Sequence, residues 1–199
     1  MLEVGCGDGE LARVLSAGGH DVLAIDPKAP EDRGIFRRVT LAELADPGPF
    51  DAVVASMSLH HIHPLAGTVE RVASLLAPGG TLLLRELDRN ALDDVALGWY
   101  FHQQHALAAV GRRPRPPDEF ERFRQRIETD VEGIHGAAAL RVAVAARFEE
   151  LSFEPVPYLH AWGLDHALEP IERELIESGA IRPAGWWYAG RVKPVISPI

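Results

Sequence analysis

Three glycines at alternate positions, Gly5, Gly7 and Gly9, follow a short run that contains Glu3 and lead into a helix-like pattern. Alternating glycines let a backbone turn sharply and pass close to a ligand. Their GxGxG spacing is neither the GxGxxG of a dinucleotide fold nor a loop ending in Gly-Lys-Ser/Thr that cradles phosphates. Charge narrows the chemistry further. Glu3 precedes the loop, Asp8 lies within it, and no Lys or Arg occurs before Arg13, which makes a poor cradle for pyrophosphate. A ligand with a positive amine and a sulfonium meets this charge far better. Asp8 also suits the cap of a helix beginning near Gly9, and the two roles are compatible. Asp26 closes the next apolar run, where a carboxylate accepts hydrogen bonds from both hydroxyls of an adenosine ribose and repels a 2'-phosphate.

His60, His61 and His63 cluster after a later apolar run. No Asp, Glu or Cys nearby completes a metal set, so no metal is expected there. The competing roles are packing with loop support, and general-base work by His60 or His61, since an imidazole titrates in the useful range. Trp99, His102 and His105 recur at three-residue spacing with Tyr100 and Phe101 alongside. On a helix the first three share a face, as a core stripe or as an aromatic wall for an acceptor or a cation. Arg112, Arg113 and Arg115 form a dense basic loop, most simply a solvated one. Trp162, Trp186, Trp187 and Tyr188 read as packing groups.

The elements that position these residues follow from apolar patterning. Val22–Asp26, Asp51–Ala55 and Thr81–Leu84 are short apolar runs, as strands covered on both faces must be, with Ile35–Val39 a weaker one. Helical patterns lie between them, through Leu11, Val14 and Leu15, and through Val69, Val72, Ala73 and Leu76. This alternation implies an α/β fold with a doubly wound, mostly parallel sheet that binds ligands beyond the carboxyl ends of its strands. After Glu86 longer amphipathic stretches take over. One runs Leu92, Val95, Trp99, His102 and another Phe120, Phe123, Ile127, Val131, Ile134, separated by the stiff loop Gly111–Pro117. Further helices are expected through Leu140, Val144, Phe148, Leu151 and through Leu168, Ile171, Leu175, Ile176. Phe153–Trp162 and Trp186–Val192 are the expected last strands, the first at a sheet edge because of Pro155 and Pro157.

With 199 residues, 47% hydrophobic and 25% charged, the chain suits one globular domain. A net charge of -9 argues against nucleic acid as a partner. The lone Cys6 forms no internal disulfide, the start lacks a signal-peptide pattern, and no apolar run approaches a bilayer span, so no membrane partner and a cytoplasmic location are the default. A homodimer stays open as an assembly.

In LEVGCGDGELARVL, LAIDP, FDAVVASMSLHHI and LLAPGGTLLLREL the chain resembles the class I S-adenosylmethionine-dependent methyltransferases, four motifs in order from Met1 to about Asp88. The resemblance implies a Rossmann-like sheet with an antiparallel C-terminal strand and a helical insertion after the fifth strand. It implies S-adenosyl-L-methionine as cofactor and methyl transfer to an oxygen, nitrogen or carbon nucleophile of a small-molecule acceptor. On that pattern residues 1–88 form the cofactor-binding core, 89–137 a helical insertion acting as an acceptor lid, and 138–199 the C-terminal helices and strand pair.

Matched position by position, Glu3, Gly5, Cys6, Gly7 and Gly9 would surround the methionine end of the cofactor. Asp26 would hold the ribose and Pro27 would lie near the adenine. Thr40 and Leu41 stand where the family commonly carries an acidic residue followed by a small one against the adenine, a departure from its pattern. Ser56 and Met57 would face cofactor and acceptor, and Trp99, Tyr100, His102 and His105 on the insertion would line the acceptor pocket. Relatives of this kind usually place one or two helices before the first strand, and the expectation is that these are missing through a late start. Two rival readings are a catalytically silent S-adenosylmethionine-binding scaffold and a nucleotide-dependent oxidoreductase, the latter disfavoured by the GxGxG spacing. No Asn-Pro-Pro-Tyr signature follows the fourth strand, which counts against amino-group methylation of bases or glutamine.

Overall fold

The computed structural model describes residues 1–45 and 48–194. Strands β1 (Leu2–Val4), β2 (Leu23–Ile25), β3 (Phe36–Arg37), β4 (Phe50–Ser56), β5 (Leu76–Leu87), β6 (Phe148–Val156) and β7 (Gly185–Val192) form one sheet in the order β3-β2-β1-β4-β5-β7-β6. The first five pair in parallel, and the C-terminal strands run antiparallel. Winding starts at β1, moves outward through β2 and β3, then resumes on the other side of β1 with β4. A reversal of this kind opens a crevice beyond the carboxyl ends of the strands on either side of it.

The helices are α1 (Glu10–Ala17), α2 (Leu65–Leu75), α3 (Asp94–Ala109), α4 (Phe120–Asp130), α5 (Ala137–Ala145) and α6 (Glu169–Glu177). No helix among the described residues is long and apolar enough to cross a membrane. Contacts divide the chain into two compact units. One comprises residues 1–86, 138–154 and the chain from Trp187; the other comprises residues 87–137 and 155–186. In the first, Cys6, Ala12, Val22, Ala24, Ala29 and Phe36 pack as one buried cluster, with Leu15 and Ile35 against it. Helix α1 therefore turns Ala12 and Leu15, three residues apart on one face, toward the core, while Val14 is 63% exposed.

Several boundaries differ from the sequence expectations, each for a physical reason. Leu76 belongs to β5 rather than α2, because its backbone is already extended. Strand β5 absorbs Pro78, Gly79 and Gly80 through a shift in register against β4. Phe148 and Leu151 extend β6, not a helix, since α5 stops at Ala145 and a turn follows in which the Ala146 amide bonds to Ala143. Strand β6 ends at Val156 instead of Trp162, because the amides of Tyr158, Leu159 and His160 donate to the carboxylate of Glu172 at 2.7, 2.9 and 2.8 Å. Donors spent on a carboxylate are lost to a strand ladder. Its edge position, inferred from Pro155 and Pro157, is as expected.

In the second unit α4 buries Phe123 and Ile127 as the apolar spacing suggested, whereas α3 and α6 turn other faces inward. Helix α3 buries Ala96, Leu97 and Tyr100, while Val95 is 61% exposed. Helix α6 buries Glu172 and leaves Ile171 51% exposed.

Candidate active site

A cavity of about 1050 Å³ lies within the first unit, at the carboxyl ends of its parallel strands. Its wall begins with the glycine loop. The amides of Gly5 and Cys6 both donate to the Ile25 carbonyl, at 2.8 and 3.1 Å, which ties the turn after β1 to the end of β2. The Gly7 amide donates to Asp26 Oδ2 at 3.1 Å and the Lys28 amide to Asp26 Oδ1 at 2.7 Å. The Asp26 carboxylate thus faces the loop, fixed by one backbone donor on each oxygen. Each oxygen keeps a lone pair for a further hydrogen bond.

Gly5 sits at φ +77°, and a Cβ there would stand 2.3 Å from Ser58 Cβ. Ser58 in turn donates its hydroxyl to the Val4 carbonyl at 2.7 Å. The ends of β1 and β4 are therefore drawn together so closely that only glycine fits between them. Gly9, expected to contact the ligand, lies outside the cavity lining; a Cβ there would meet the Phe36 ring at 2.4 Å, so close packing between the loop and β3 requires a glycine.

The Arg13 guanidinium reaches the loop only at the Asp8 carbonyl, 2.9 Å away. Glu3 is 3% exposed, and its Oε2 has no hydrogen-bond partner. Burial, reinforced by the Asp8 and Asp26 carboxylates, pushes its carboxyl up to about 7. Cys6 is buried too, and burial with Glu3 and Asp26 raises its thiol to about 11. A buried carboxylate lacking a partner is costly by itself and becomes favourable when a cation meets it. The residues present therefore fit a ligand with an ammonium group and a ribose diol.

Beyond β4 the chain turns through residues 59–61. Met57 takes φ +56°, a strained setting for a side chain other than glycine, and its amide donates to the Arg85 carbonyl at 2.7 Å. The turn is held from inside by Glu86. This fully buried carboxylate accepts from the Leu59 amide at 2.9 Å and pairs with His60 Nδ1. His60 is consequently a core residue, 3% exposed and absent from the cavity wall. His61 lines the cavity, and desolvation, then His60 and His63, hold its imidazole below the usual 6.5.

All the residues expected to hold the cofactor line the cavity except Gly9: Glu3, Gly5, Cys6, Gly7, Asp26, Pro27, Thr40, Leu41, Ser56 and Met57. The Thr40 amide donates to Glu43 Oε2 at 2.9 Å while the Glu43 amide returns a bond to Thr40 Oγ1 at 3.2 Å. This reciprocal pair is a capping box, legible beforehand as Thr-x-x-Glu. Trp99, Tyr100, His102 and His105 belong to the second unit. There Tyr100 is a packing residue, 3% exposed. Its ring stacks on Trp162 at 5.5 Å between centroids, and its hydroxyl donates to the Trp162 carbonyl. His105 Nε2 lies 3.1 Å from the Pro117 carbonyl. His102 is exposed and Trp99 half-buried.

Four lining or supporting residues escaped sequence reasoning: Ser58, Arg85, Glu86 and Trp187. Trp187 is 50% exposed and lines the cavity with the Arg85 guanidinium 5.6 Å from its ring centroid, so it is not the packing group expected. The available signal was alternation, since Trp186 and Tyr188 on either side are buried and a strand turns every second residue to the other face.

A family model described as a methyltransferase domain matches residues 1–128. An uncharacterized methyltransferase of Mycobacterium tuberculosis is 39% identical over 94 residues, 41% of this chain and 47% of the relative. A ubiquinone biosynthesis O-methyltransferase of Methylocella silvestris is 29% identical over 179 residues, covering 83% of this chain and 65% of the relative. The matched part thus spans about half the length of the first of these relatives and under two thirds of the second. Among solved structures, an S-adenosylmethionine-dependent methyltransferase from Mesorhizobium loti superposes with a TM-score of 0.59 at 20% identity, over 96% of this chain and 89% of that one.

Proposed function

The chain belongs to the class I S-adenosylmethionine-dependent methyltransferases, and on that premise we propose that it methylates an oxygen, nitrogen or carbon nucleophile of a small molecule. The observation that carries this reading is the cavity of about 1050 Å³ with an acidic wall at one end, where the buried Glu3 Oε2 has no hydrogen-bond partner. Pockets for a single ligand run to about 300–1,000 Å³, and this one stands at the upper end of that range. The net charge of -9 fits such an acceptor better than a polyanion.

S-adenosylmethionine, when bound, supplies an electrophilic methyl group on a sulfonium. The chain's residues do the rest. Asp26 would hold the ribose diol, Glu3 would face the ammonium group, and the glycine loop would let the backbone approach. Ser56 and Met57 would border the space where the two reactants meet, so that alignment and exclusion of water supply most of the rate. For a hydroxyl acceptor His61 would accept the proton, its lowered pKa keeping the ring in its unprotonated form at neutral pH. His60 acts through the turn that carries His61 and is a positioning residue.

Calorimetric titration with S-adenosylmethionine tests the reading. Binding by the native chain, weakened at least about ten-fold by Asp26→Ala, is the expected result. No binding, or equal binding by the variant, would overturn it.

A further inference from the structure

Charge is unevenly distributed along the cavity wall. Glu3, Asp8 and Asp26 stand at the β1 and β2 end, whereas Arg85 and Trp187 come from β5 and β7. Four inter-strand steps separate β2 from β7 in the sheet, on the order of 19 Å at the usual strand spacing. One end is therefore built for a cation and a sugar diol. The other presents a guanidinium over an indole, 5.6 Å from its ring centroid, with half of the tryptophan's surface exposed.

These two side chains are arranged for recognition of one chemical class. A guanidinium offers a planar fork that meets a carboxylate with two parallel hydrogen bonds. An exposed indole offers a flat face on which an aromatic ring stacks, with little loss of side-chain freedom. Arg85 is also well placed relative to the reacting end of the site. It is the direct register partner of Ser56, and its carbonyl holds the Met57 amide. A molecule anchored there would reach Met57 and His61 from the β5 side.

We propose that the methyl acceptor is an aromatic carboxylate, its carboxylate bound by Arg85 and its ring lying against Trp187. The proposal rests on the S-adenosylmethionine reading of the same cavity.

The experiment is a pair of titrations. S-adenosylhomocysteine is titrated first, and its failure to bind would overturn the cofactor reading and this proposal together. With S-adenosylhomocysteine saturating, 3-hydroxybenzoate is then compared with 3-hydroxybenzamide, which keeps the ring and loses the charge. The native chain should prefer the acid by about ten-fold or more. Arg85→Gln should abolish that preference, Arg85→Lys should retain part of it, and both should bind S-adenosylhomocysteine within about two-fold of native. Trp187→Ala should weaken acid and amide alike. Equal affinity of the native chain for acid and amide, absence of millimolar binding by the acid, or an undiminished preference in Arg85→Gln would overturn the proposal while leaving the cofactor reading intact. The comparison on the native chain decides the matter even if a variant fails to fold.

Discussion

His60 and Glu86 form a hydrogen-bonded pair whose side chains are 4% and 0% exposed, and the same carboxylate accepts the Leu59 amide at 2.9 Å. A single buried group thus fixes the turn that carries His61 into the cavity. Glu86→Leu strands an imidazole and an amide without an acceptor, and breaking a buried pair of this kind costs about 3–5 kcal/mol. The expected readout is a lower urea midpoint with an unchanged slope. Glu86→Gln keeps an acceptor oxygen and should lose less.

Ser58 and Gly5 make a second tight junction. Gly5→Ala imposes a side chain at φ +77° and places Cβ 2.3 Å from Ser58 Cβ. The left-handed conformation alone costs roughly 1–2 kcal/mol, and the overlap adds to it. Thermal unfolding should show the full penalty in Gly5→Ala and a smaller one in Gly5→Ala/Ser58→Gly, where the steric part is relieved.

Glu3 couples stability to pH. Its carboxyl titrates near 7 in the folded chain against 4.5 for an unperturbed side chain, so the folded form holds the proton more tightly. This contribution to stability is fully present below 4.5 and is lost as pH rises through about 7. The ligand-free protein should become less stable across that window relative to Glu3→Gln, measured by thermal melts at a series of pH values. A cationic ligand favours the ionised carboxylate, so S-adenosylmethionine affinity should rise across the same window in the native chain and less in the variant.

The imidazole of His61 lies below the usual 6.5. If it accepts the acceptor's proton, the acid limb of the kcat profile falls below that value. His61→Ala should then lower kcat by about 10²–10⁴-fold for a hydroxyl acceptor and leave S-adenosylhomocysteine binding unchanged. An unaltered profile in the variant would remove the histidine from proton transfer.

Glu172 is the matching test in the second unit. Its carboxylate takes three backbone amides and lies 2.7 Å from His160 Nδ1. Glu172→Ala leaves these buried donors unmatched, and a loss of about 3–5 kcal/mol is expected by denaturant unfolding. Amide hydrogen exchange should accelerate first at Tyr158, Leu159 and His160.

The half of the chain richest in short-range signals was the most legible. Gly5, Gly7 and Asp26 meet at one cavity because a glycine loop after one strand and an acid at the end of the next are local patterns that the parallel sheet brings together. Arg85 and Trp187 were not legible, since only the β5-β7 pairing places them on one wall, and nothing near Arg85 in the chain announces β7. Tyr100 illustrates the opposite failure. The three-residue spacing of Trp99, His102 and His105 suggested one helix face, but burial of Ala96, Leu97 and Tyr100 turned a different face inward. Glu172 was hidden for a related reason: a carboxylate among apolar residues reads as a solvated position until the three amides it serves are known.

Cys6 lines the cavity proposed to receive S-adenosylmethionine, a reagent able to alkylate sulfur. With its thiol raised to about 11, almost none of it is the reactive thiolate at neutral pH. With the cofactor in this cavity, burial of the thiol, reinforced by Glu3 and Asp26, would keep it protonated, and the catalyst would be spared from consuming its own reagent in suicide labelling.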